Sequence, residues 1–234
     1  DWSSDVCSSD LALEAHREEL ENCRKLILDL RRCKGGDTGA GWDLFPYLLT
    51  KETKLSDLIA DEGSYVNCTK ENCRIRIARL SAYKESLAAA GNEEPDLSEK
   101  LTLLDEEIAF YRSHAGDGFV YRPADPIEDE TILPAARAPE KVVILTDTYC
   151  ENEGEEFAAM CRRCGSKVTL MGRPTMGSLD YFDNIDLLLH EHMILSYPIR
   201  MTKAAYEGNG ISEKGIQPDQ YIRWMPDRDS ELVG

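Results

Sequence analysis

The sequence predicts an α/β fold, a layered core of strands and helices into which a helical hairpin is inserted. Two apolar runs, residues 25–32 and 141–147, have the hydrophobic character of strands in a parallel sheet. A helix-like segment, residues 155–163, follows the second run, and a further strand-like segment, residues 167–172, comes next. Between these halves, residues 69–114 carry the periodicity and residue types of two long helices.

The first half of the predicted core leads from a charged segment to a glycine corner. Residues 12–24 favour a helix, and the strand that follows has leucines on one face and Ile27 on the other. Because both faces are apolar, we expect this strand to be covered on both sides. It ends near Gly35 and Gly36, which permit backbone geometry that other residues avoid. Residues 42–49 then predict a short amphipathic helix.

The middle of the chain predicts a helical hairpin. Residues 69–90 and 96–114 are the two helices, joined by a loop at residues 89–96. Asp96 and Glu99 have the spacing of a capping box at the start of the second helix. Steps of four, three, four and three separate its apolar residues, which are Leu97, Leu101, Leu104, Ile108 and Tyr111.

The second half of the core continues beyond the helix at residues 155–163. Residues 173–181 predict a loop, and residues 185–202 predict two strands or one long bent strand. Residues 208–222 predict turns that end in a terminal strand. Four glutamates begin the helix, and we interpret them as a solvated acidic first turn favoured by the helix dipole; they are Glu151, Glu153, Glu155 and Glu156.

These elements divide the chain into four segments. Residues 1–11, DWSSDVCSSDL, equal the translation of a nucleotide string that resembles a widely used sequencing adapter, so we exclude them from the predicted fold. Residues 12–64 form the first part of the core, residues 65–135 the helical insertion, and residues 136–234 the second part of the core.

Composition limits the classes of partner and cofactor. The chain has 44 acidic against 27 basic residues, a net charge of -17, which argues against nucleic acid because its binding depends on cation contacts. No apolar run reaches the roughly 20 residues of a membrane helix. Eight cysteines in 234 residues, without paired zinc-ligand spacing, predict free thiols and favour a reducing compartment. His190 and His192 lack a third ligand at a diagnostic spacing, so we predict neither metal nor cofactor.

Four motifs occur in one order along the chain. They are LILDLRRCKGGD (residues 26–37), VVILTDTYCENEGEEFA (142–158), GRPTMGSLDY (172–181) and KGIQPDQYI (214–222). Together they resemble the tail-specific, or C-terminal processing, serine peptidase family. This resemblance implies a crotonase/ClpP-like fold, a polypeptide substrate, and hydrolysis through an acyl-enzyme.

The resemblance also implies a site, and this chain departs from it at the central position. The family places its nucleophilic serine where Asn152 stands, and its oxyanion hole would use the backbone N–H groups of Gly35, Gly36 and Glu153. The amide nitrogen of asparagine is delocalised into its carbonyl, so a base cannot activate it as it activates a hydroxyl. We therefore predict that the chain as given does not hydrolyse peptide bonds.

The base is predicted to come from elsewhere. One branch of the family has a lysine at the position of Ser178, so this chain resembles the other branch, which uses an upstream histidine expected before Leu11. None of the four histidines, His16, His114, His190 and His192, matches its motif. Glu213 corresponds to the carboxylate with which that branch orients its histidine.

Three functions stay open at this point. In the first, the chain is a peptidase domain and Asn152 reflects a one-base change from a serine codon. In the second, it is a non-catalytic relative that binds peptides or builds an assembly. The third is a crotonase-type acyl-CoA enzyme, against which the GIQPD motif argues. Cys150 as a substitute nucleophile lies two residues too early in the corner.

Overall fold

A computed structural model of the chain describes residues 13–36, 38–59, 62–90, 96–125 and 131–223, so the adapter-like segment lies outside the described residues. The chain forms two compact units. The first unit comprises Asp1–Asp61, Pro126–Leu179 and Ile211–Gly234, and the second comprises Glu62–Asp125 and Asp180–Gly210. The four-segment division predicted above stays a prediction, and the compact units differ from it by grouping Asp180–Gly210 with the helical segment.

The described helices and strands include the predicted ones in the predicted order, and the short strands between residues 53 and 133 are additions that the sequence did not indicate. The helices are α1 (Arg17–Asn22), α2 (Phe45–Leu48), α3 (Leu55–Leu58), α4 (Lys70–Ala90), α5 (Leu97–Ser113), α6 (Glu153–Cys161) and α7 (Lys203–Tyr206), with a 3₁₀ helix at Thr38–Leu44. The strands are β1 (Lys25–Asp29), β2 (Thr53–Lys54), β3 (Ser64–Cys68), β4 (Gly118–Arg122), β5 (Ile132–Leu133), β6 (Lys141–Thr146), β7 (Val168–Gly172), β8 (Tyr181–His190), β9 (Met193–Thr202) and β10 (Gln220–Tyr221).

A parallel sheet organises the first unit. Its strand order is β1-β6-β7-β10, and every neighbouring pair is parallel. Strand β1 lies beside β6 with Lys25 opposite Lys141 and Asp29 opposite Leu145. The parallel sheet and its helices confirm the predicted α/β class. Because parallel strands end at the same edge, the corners after β1 and β6 lie next to each other.

One prediction about β1 is wrong. This strand lies at the edge of the sheet, where Ile27 is 64% exposed among the described residues. Leu26 and Leu28, on the other face, pack against the core of the first unit. The strand is therefore covered on one face only, although its sequence is apolar on both. That core centres on the fully buried Ile144 and Leu170 of the neighbouring strands.

An antiparallel sheet and two helices form the second unit. The strand order is β4-β3-β9-β8, and α4 packs against α5 as the predicted helical hairpin. Val66 and Ile185 of the sheet and Tyr111 of α5 meet in its core. The predicted capping box is wrong, because Asp96 has φ 57° and its side chain makes no cap hydrogen bond. Residues 91–95 of the predicted loop lie outside the described residues.

Strands β8 and β9 decide between the two predicted forms of residues 185–202. They are separate strands, paired as an antiparallel hairpin from Tyr181 opposite Met201 to His190 opposite Met193. Across the described helices, none has the length and apolar character needed to cross a membrane.

Candidate active site

Asn152 stands at the corner between β6 and α6. It precedes the first residue of α6, and its φ of 51° and ψ of −128° are uncommon for a residue with a side chain. Its backbone N–H donates to Ser178 Oγ at 2.8 Å, and its side-chain Nδ2 donates to the Lys34 carbonyl at 3.1 Å. Asn152 is thus fixed from two sides, by the corner after β1 and by the loop after β7.

The corner after β1 lies directly against the Asn152 corner. Glu151 N–H donates to the Cys33 carbonyl at 2.9 Å. A Cβ atom on Gly154 would lie 2.8 Å from Cys33 Sγ, so only glycine fits at the start of α6. A Cβ atom on Gly35 would lie 3.1 Å from Asn152 Cβ. The structure therefore brings together the nucleophile position and the glycine pair that the sequence singled out.

The Glu153 side chain covers the glycine pair. Its Oε2 accepts the Gly36 N–H at 3.3 Å and would lie only 2.1 Å from a Cβ atom on Gly35. The φ values of 108° at Gly35 and 150° at Gly36 exclude most side chains in any case. Sequence reasoning considered only the backbone N–H of Glu153. In the structure, a carboxylate oxygen of the chain itself lies where the predicted oxyanion hole would receive a ligand oxygen.

Glu155 is the buried centre of the corner. It is fully buried, and its carboxylate accepts hydrogen bonds from Thr175 Oγ1, from Gly177 N–H at 2.8 Å, and from Ser178 N–H at 2.7 Å. Ser178 Oγ also donates to it, at 3.0 Å. The interpretation of the four glutamates as a solvated first turn is therefore wrong for Glu155.

The helical period gives only a partial sequence signal for Glu155. Ala158, three residues further on, is buried in the same helix and lies on the same face of α6. A lone carboxylate on such a face needs hydrogen-bond donors, and the described loop at residues 175–178 supplies them. The Ser178 hydroxyl then connects Glu155 to the backbone N–H of Asn152.

The Asp147 carboxylate connects the corner after β6 with the corner after β1. This residue follows β6 and is almost fully buried. Its Oδ1 accepts the N–H groups of Tyr149 at 2.9 Å and Arg32 at 3.3 Å, and its Oδ2 lies 3.7 Å from the Arg173 guanidinium. Arg32 has a φ of 64°, so this carboxylate stabilises a left-handed turn in the corner after β1. The backbones of both corners are therefore tied to one side chain.

Cys150 does not lie where it can attack a ligand. It is fully buried, and burial raises the pKa of its thiol far above the ordinary range. Its N–H donates to the Asp147 carbonyl at 3.0 Å, and its carbonyl accepts the Met176 N–H at 2.9 Å. The thiol therefore stays protonated, and the structure disfavours Cys150 as a substitute nucleophile.

Glu213 and the four histidines are the remaining residues that the sequence singled out. Glu213 has an exposed side chain and a φ of 66°, and its backbone nitrogen would be 3.2 Å from a Cβ atom on Gly177. His16 contacts Glu19 at 3.1 Å, and His114 contacts Asp117 at 3.0 Å. The other two histidines lie at the end of β8 and in the following turn.

Two absences hold for the described part of the chain. Asn152 donates to Lys34 and Ser178 and accepts the N–H groups of Glu155 and Glu156, and no histidine is among these partners. No group of three or more His, Cys, Asp or Glu side chains among the described residues has a geometry that could hold a metal ion.

A comparison with known proteins places this geometry in a family. A statistical profile of peptidase family S41 matches residues 7–222, which include the last five residues of the adapter-like segment. The chain therefore belongs to peptidase family S41, and its resemblance to the tail-specific peptidases is confirmed. No curated protein sequence matches the chain.

Solved structures that are similar to the chain include three that illustrate the range of relatives. They are the photosystem II D1 C-terminal processing protease (15% identity over 93% of this chain and 40% of that one, TM-score 0.42), mature CPAF (13% identity, 95% and 43%, TM-score 0.51), and a lipoprotein from Streptococcus agalactiae (14% identity, 99% and 62%, TM-score 0.40). The likeness to mature CPAF concerns the fold alone. The chain spans less than two thirds of the length of each of these three structures.

Proposed function

We propose that this chain, a domain of a serine peptidase family, binds a polypeptide at the Asn152 corner without hydrolysing it. One observation carries the proposal. Asn152 occupies the positive-φ corner against Gly35, and its amide donates to the Lys34 carbonyl. The position that would present an attacking hydroxyl thus presents an amide already used as a hydrogen-bond donor.

The chemistry of the side chain supports the absence of hydrolysis. A serine nucleophile needs a hydroxyl whose proton passes to an adjacent base while the oxygen attacks the carbonyl. Asn152 offers a side-chain amide nitrogen without a usable lone pair, and this nitrogen donates to the Lys34 carbonyl. The carboxylate of Glu155 is buried and accepts four hydrogen bonds, from Thr175, Gly177 and Ser178, and none from the Asn152 side chain.

Binding has a separate electrostatic basis. The backbone N–H of Glu153 lies at the start of α6, where the helix dipole favours negative charge. Together with the Gly36 N–H it forms the donor pair of the proposed oxyanion hole, and one such donor typically contributes about 3–4 kcal/mol to a transition state in active enzymes. Here the Glu153 carboxylate contacts the Gly36 N–H, so a peptide carbonyl or terminal carboxylate must displace it.

Two measurements on the purified chain test this proposal. We expect no turnover of an unstructured protein such as casein, and measurable binding of a fluorescent peptide by anisotropy. Gly36→Val, which places a side chain at a φ of 150°, should weaken that binding, whereas Gly208→Val in the second unit should not. Turnover that Cys150→Ala abolishes, or binding that both glycine variants leave unchanged, would refute the proposal.

A second candidate, an active peptidase, is favoured by the intact surroundings of Asn152. The Gly154 contact with Cys33 and the Glu155 hydrogen bonds build a corner that a serine would fit. Resequencing the locus tests whether codon 152 encodes serine. A longer form of the protein that includes upstream sequence should then react with a fluorophosphonate probe as Asn152→Ser and not as asparagine. Equal lack of labelling in both forms would exclude this candidate.

A further inference from the structure

The tip of the β8–β9 hairpin is apolar and exposed. Five aliphatic side chains at the tip are between 47% and 68% exposed: Leu188, Leu189, Met193, Ile194 and Leu195. Apart from Glu191 in the turn, the segment from residue 187 to residue 195 contains no acidic or basic residue other than two histidines. Together these side chains expose roughly 500 Å², which is near the upper end for the largest apolar patch of a monomeric protein.

Both faces of the hairpin tip are apolar. Leu188 lies opposite Ile194 on one face, and Leu187 lies opposite Leu195 on the other. The second pair continues the face of Ile185, which is fully buried in the second unit. The hairpin therefore extends its buried face beyond the described core and adds an apolar face on the opposite side.

Strand β8 is also an edge of its sheet. Among the described strands it pairs only with β9, so the backbone N–H and C=O groups along its other side lack a strand partner. Edge strands are normally protected by lysine, proline, bulges or short length. Strand β8 has ten residues and neither lysine nor proline. Asp183 has a positive φ of 60°, and the register shifts between Leu188 and His190, so the regular part of the strand is the segment from Asn184 to Leu188. Arg79 donates to the Asn184 carbonyl at one end of this segment, and the rest of the segment is suited to strand addition.

We propose that the chain forms a dimer through this hairpin tip, with β8 pairing antiparallel to β8 of a second copy about a two-fold axis near Leu187 and Leu188. A second strand satisfies the edge backbone and places its side chains beside those of β8 on both faces, whereas a helix would contact one face. A two-fold contact uses the same surface twice, so up to about 1,000 Å² is buried, which is the lower limit for a specific interface.

The charge pattern fits a second copy. Strand β8 has two acidic residues, Asp183 and Asp186, which both precede the proposed axis and form ion pairs with Arg76 and Arg79, and it has a histidine at its end. In an antiparallel pair about the tip, the acidic half of one strand faces the uncharged half of the other, so the carboxylates do not oppose each other. The net charge of -17 on each copy still repels at long range. Because salt screens that repulsion, added salt should strengthen the dimer.

Sedimentation velocity on the 234-residue chain tests the proposal. We expect a concentration-dependent dimer that salt strengthens, and loss of the dimer in the double variant Leu188→Asp with Ile194→Asp. Leu103→Asp is the matched control, because Leu103 is a single exposed leucine, at 58%, on α5. Circular dichroism should show that all variants are folded, since each replaced side chain is exposed. A chain that stays monomeric up to about 100 µM, or a dimer that the double variant retains, would overturn the proposal.

Cross-linking gives a second, geometric readout. Two-fold pairing brings Leu188 of each copy close together, so Leu188→Cys should form a disulfide-linked dimer under mild oxidation. Leu103→Cys and the unmodified chain, which contains the same native cysteines, set the background. A dimer band that is no stronger for Leu188→Cys than for Leu103→Cys would contradict edge-to-edge pairing at the tip.

Discussion

The Ser178 hydroxyl accepts the backbone N–H of Asn152 at 2.8 Å and donates to the buried Glu155 carboxylate at 3.0 Å. One hydroxyl thus links the proposed nucleophile position to the most deeply buried charge of the corner. The family resemblance implies a lysine at this place in one branch. In this chain the residue at that position holds the corner backbone, which is a structural task.

The first prediction concerns Glu155. We expect Glu155→Gln to lower the free energy of unfolding by about 3 kcal/mol, because an amide NH₂ group would face N–H and hydroxyl donors that the carboxylate now satisfies. Urea unfolding followed by circular dichroism measures the change. Glu106→Gln, on the exposed side of α5, is the control and should change stability by less than about 0.5 kcal/mol. Equal unfolding midpoints for the two variants would contradict the assigned role.

A smaller loss of stability is expected when the Ser178 hydroxyl of the same network is removed. Ser178→Ala leaves the Asn152 N–H without its acceptor but keeps the backbone bond from residue 178 to Glu155. We expect a loss of about 1–2 kcal/mol, smaller than that of Glu155→Gln. Ser86→Ala is the control, because that exposed serine bonds only to a carbonyl of its own helix. A larger loss at Ser86 than at Ser178 would refute the link through the hydroxyl.

The second prediction concerns the backbone at Asn152. Its φ of 51° with ψ of −128° is a conformation that glycine adopts without strain and that a β-branched residue strongly disfavours. We expect the Asn152→Gly variant to be more stable than the unmodified chain and the Asn152→Val variant to be less stable. The valine variant should lie about 1–3 kcal/mol below the glycine variant in urea unfolding. Ser86 lies within α4, and there the glycine variant should be less stable than the valine variant. If glycine were more stable than valine at both positions, backbone strain at Asn152 would not explain the result.

Much of the first unit could be predicted from local patterns. The strands at residues 25–29 and 141–146 and the helix at Glu153–Cys161 have periodicities that depend on neighbouring residues only. The contact between Asn152 and Gly35 followed from one further step, since parallel strands end at the same edge of a sheet. Sequence reasoning therefore found the residues that meet in the corner.

The features that sequence reasoning missed depend on distant residues. Glu155 looks like its exposed neighbours in the sequence, and its burial depends on donors about twenty residues further along, at Thr175 and Ser178. Ile27 is apolar like the other residues of β1, and its exposure reflects the edge position of the strand in the sheet. The Glu153 carboxylate reaches the glycine pair only because the corner after β1 lies against α6. None of these relations is encoded within one element.

The third prediction concerns the Glu153 side chain. Removal of the carboxylate in Glu153→Ala frees the Gly36 N–H, so hydrogen exchange at Gly36 should accelerate. Binding of a peptide with a free C-terminal carboxylate should strengthen by roughly fivefold to tenfold. The reason is that the variant removes a repulsion of about 1 kcal/mol between the Glu153 carboxylate and the carboxylate of the peptide. Glu156→Gln, in the same helical turn, should leave both quantities unchanged. Weaker peptide binding in Glu153→Ala would show that the carboxylate helps to bind the ligand and does not compete with it.

The last prediction concerns alkaline pH. Burial raises the pKa of five thiols, and that of Cys68 is raised to about 12. The other four are Cys73, Cys150, Cys161 and Cys164. In the unfolded chain these thiols ionise near pH 8.5, whereas in the folded chain they stay neutral, so the unfolded state alone releases protons as the pH rises. Stability from the neutral thiols is therefore fully present below about pH 8.5 and is lost as the pH rises towards the folded pKa values.

We expect the free energy of unfolding, measured with urea under a reducing agent, to fall between about pH 8 and pH 10. Each buried thiol contributes at most about 1.4 kcal/mol per pH unit. Cys150→Ala should make this slope shallower by one such contribution, whereas Cys23→Ala, at a half-buried position, should change it less. Alkylation with iodoacetamide at about pH 8 should likewise modify Cys23 and Cys33 before Cys150. A slope that Cys150→Ala leaves unchanged, together with alkylation of Cys150 as fast as of Cys33, would show that the thiol is accessible and would reopen its role as a nucleophile.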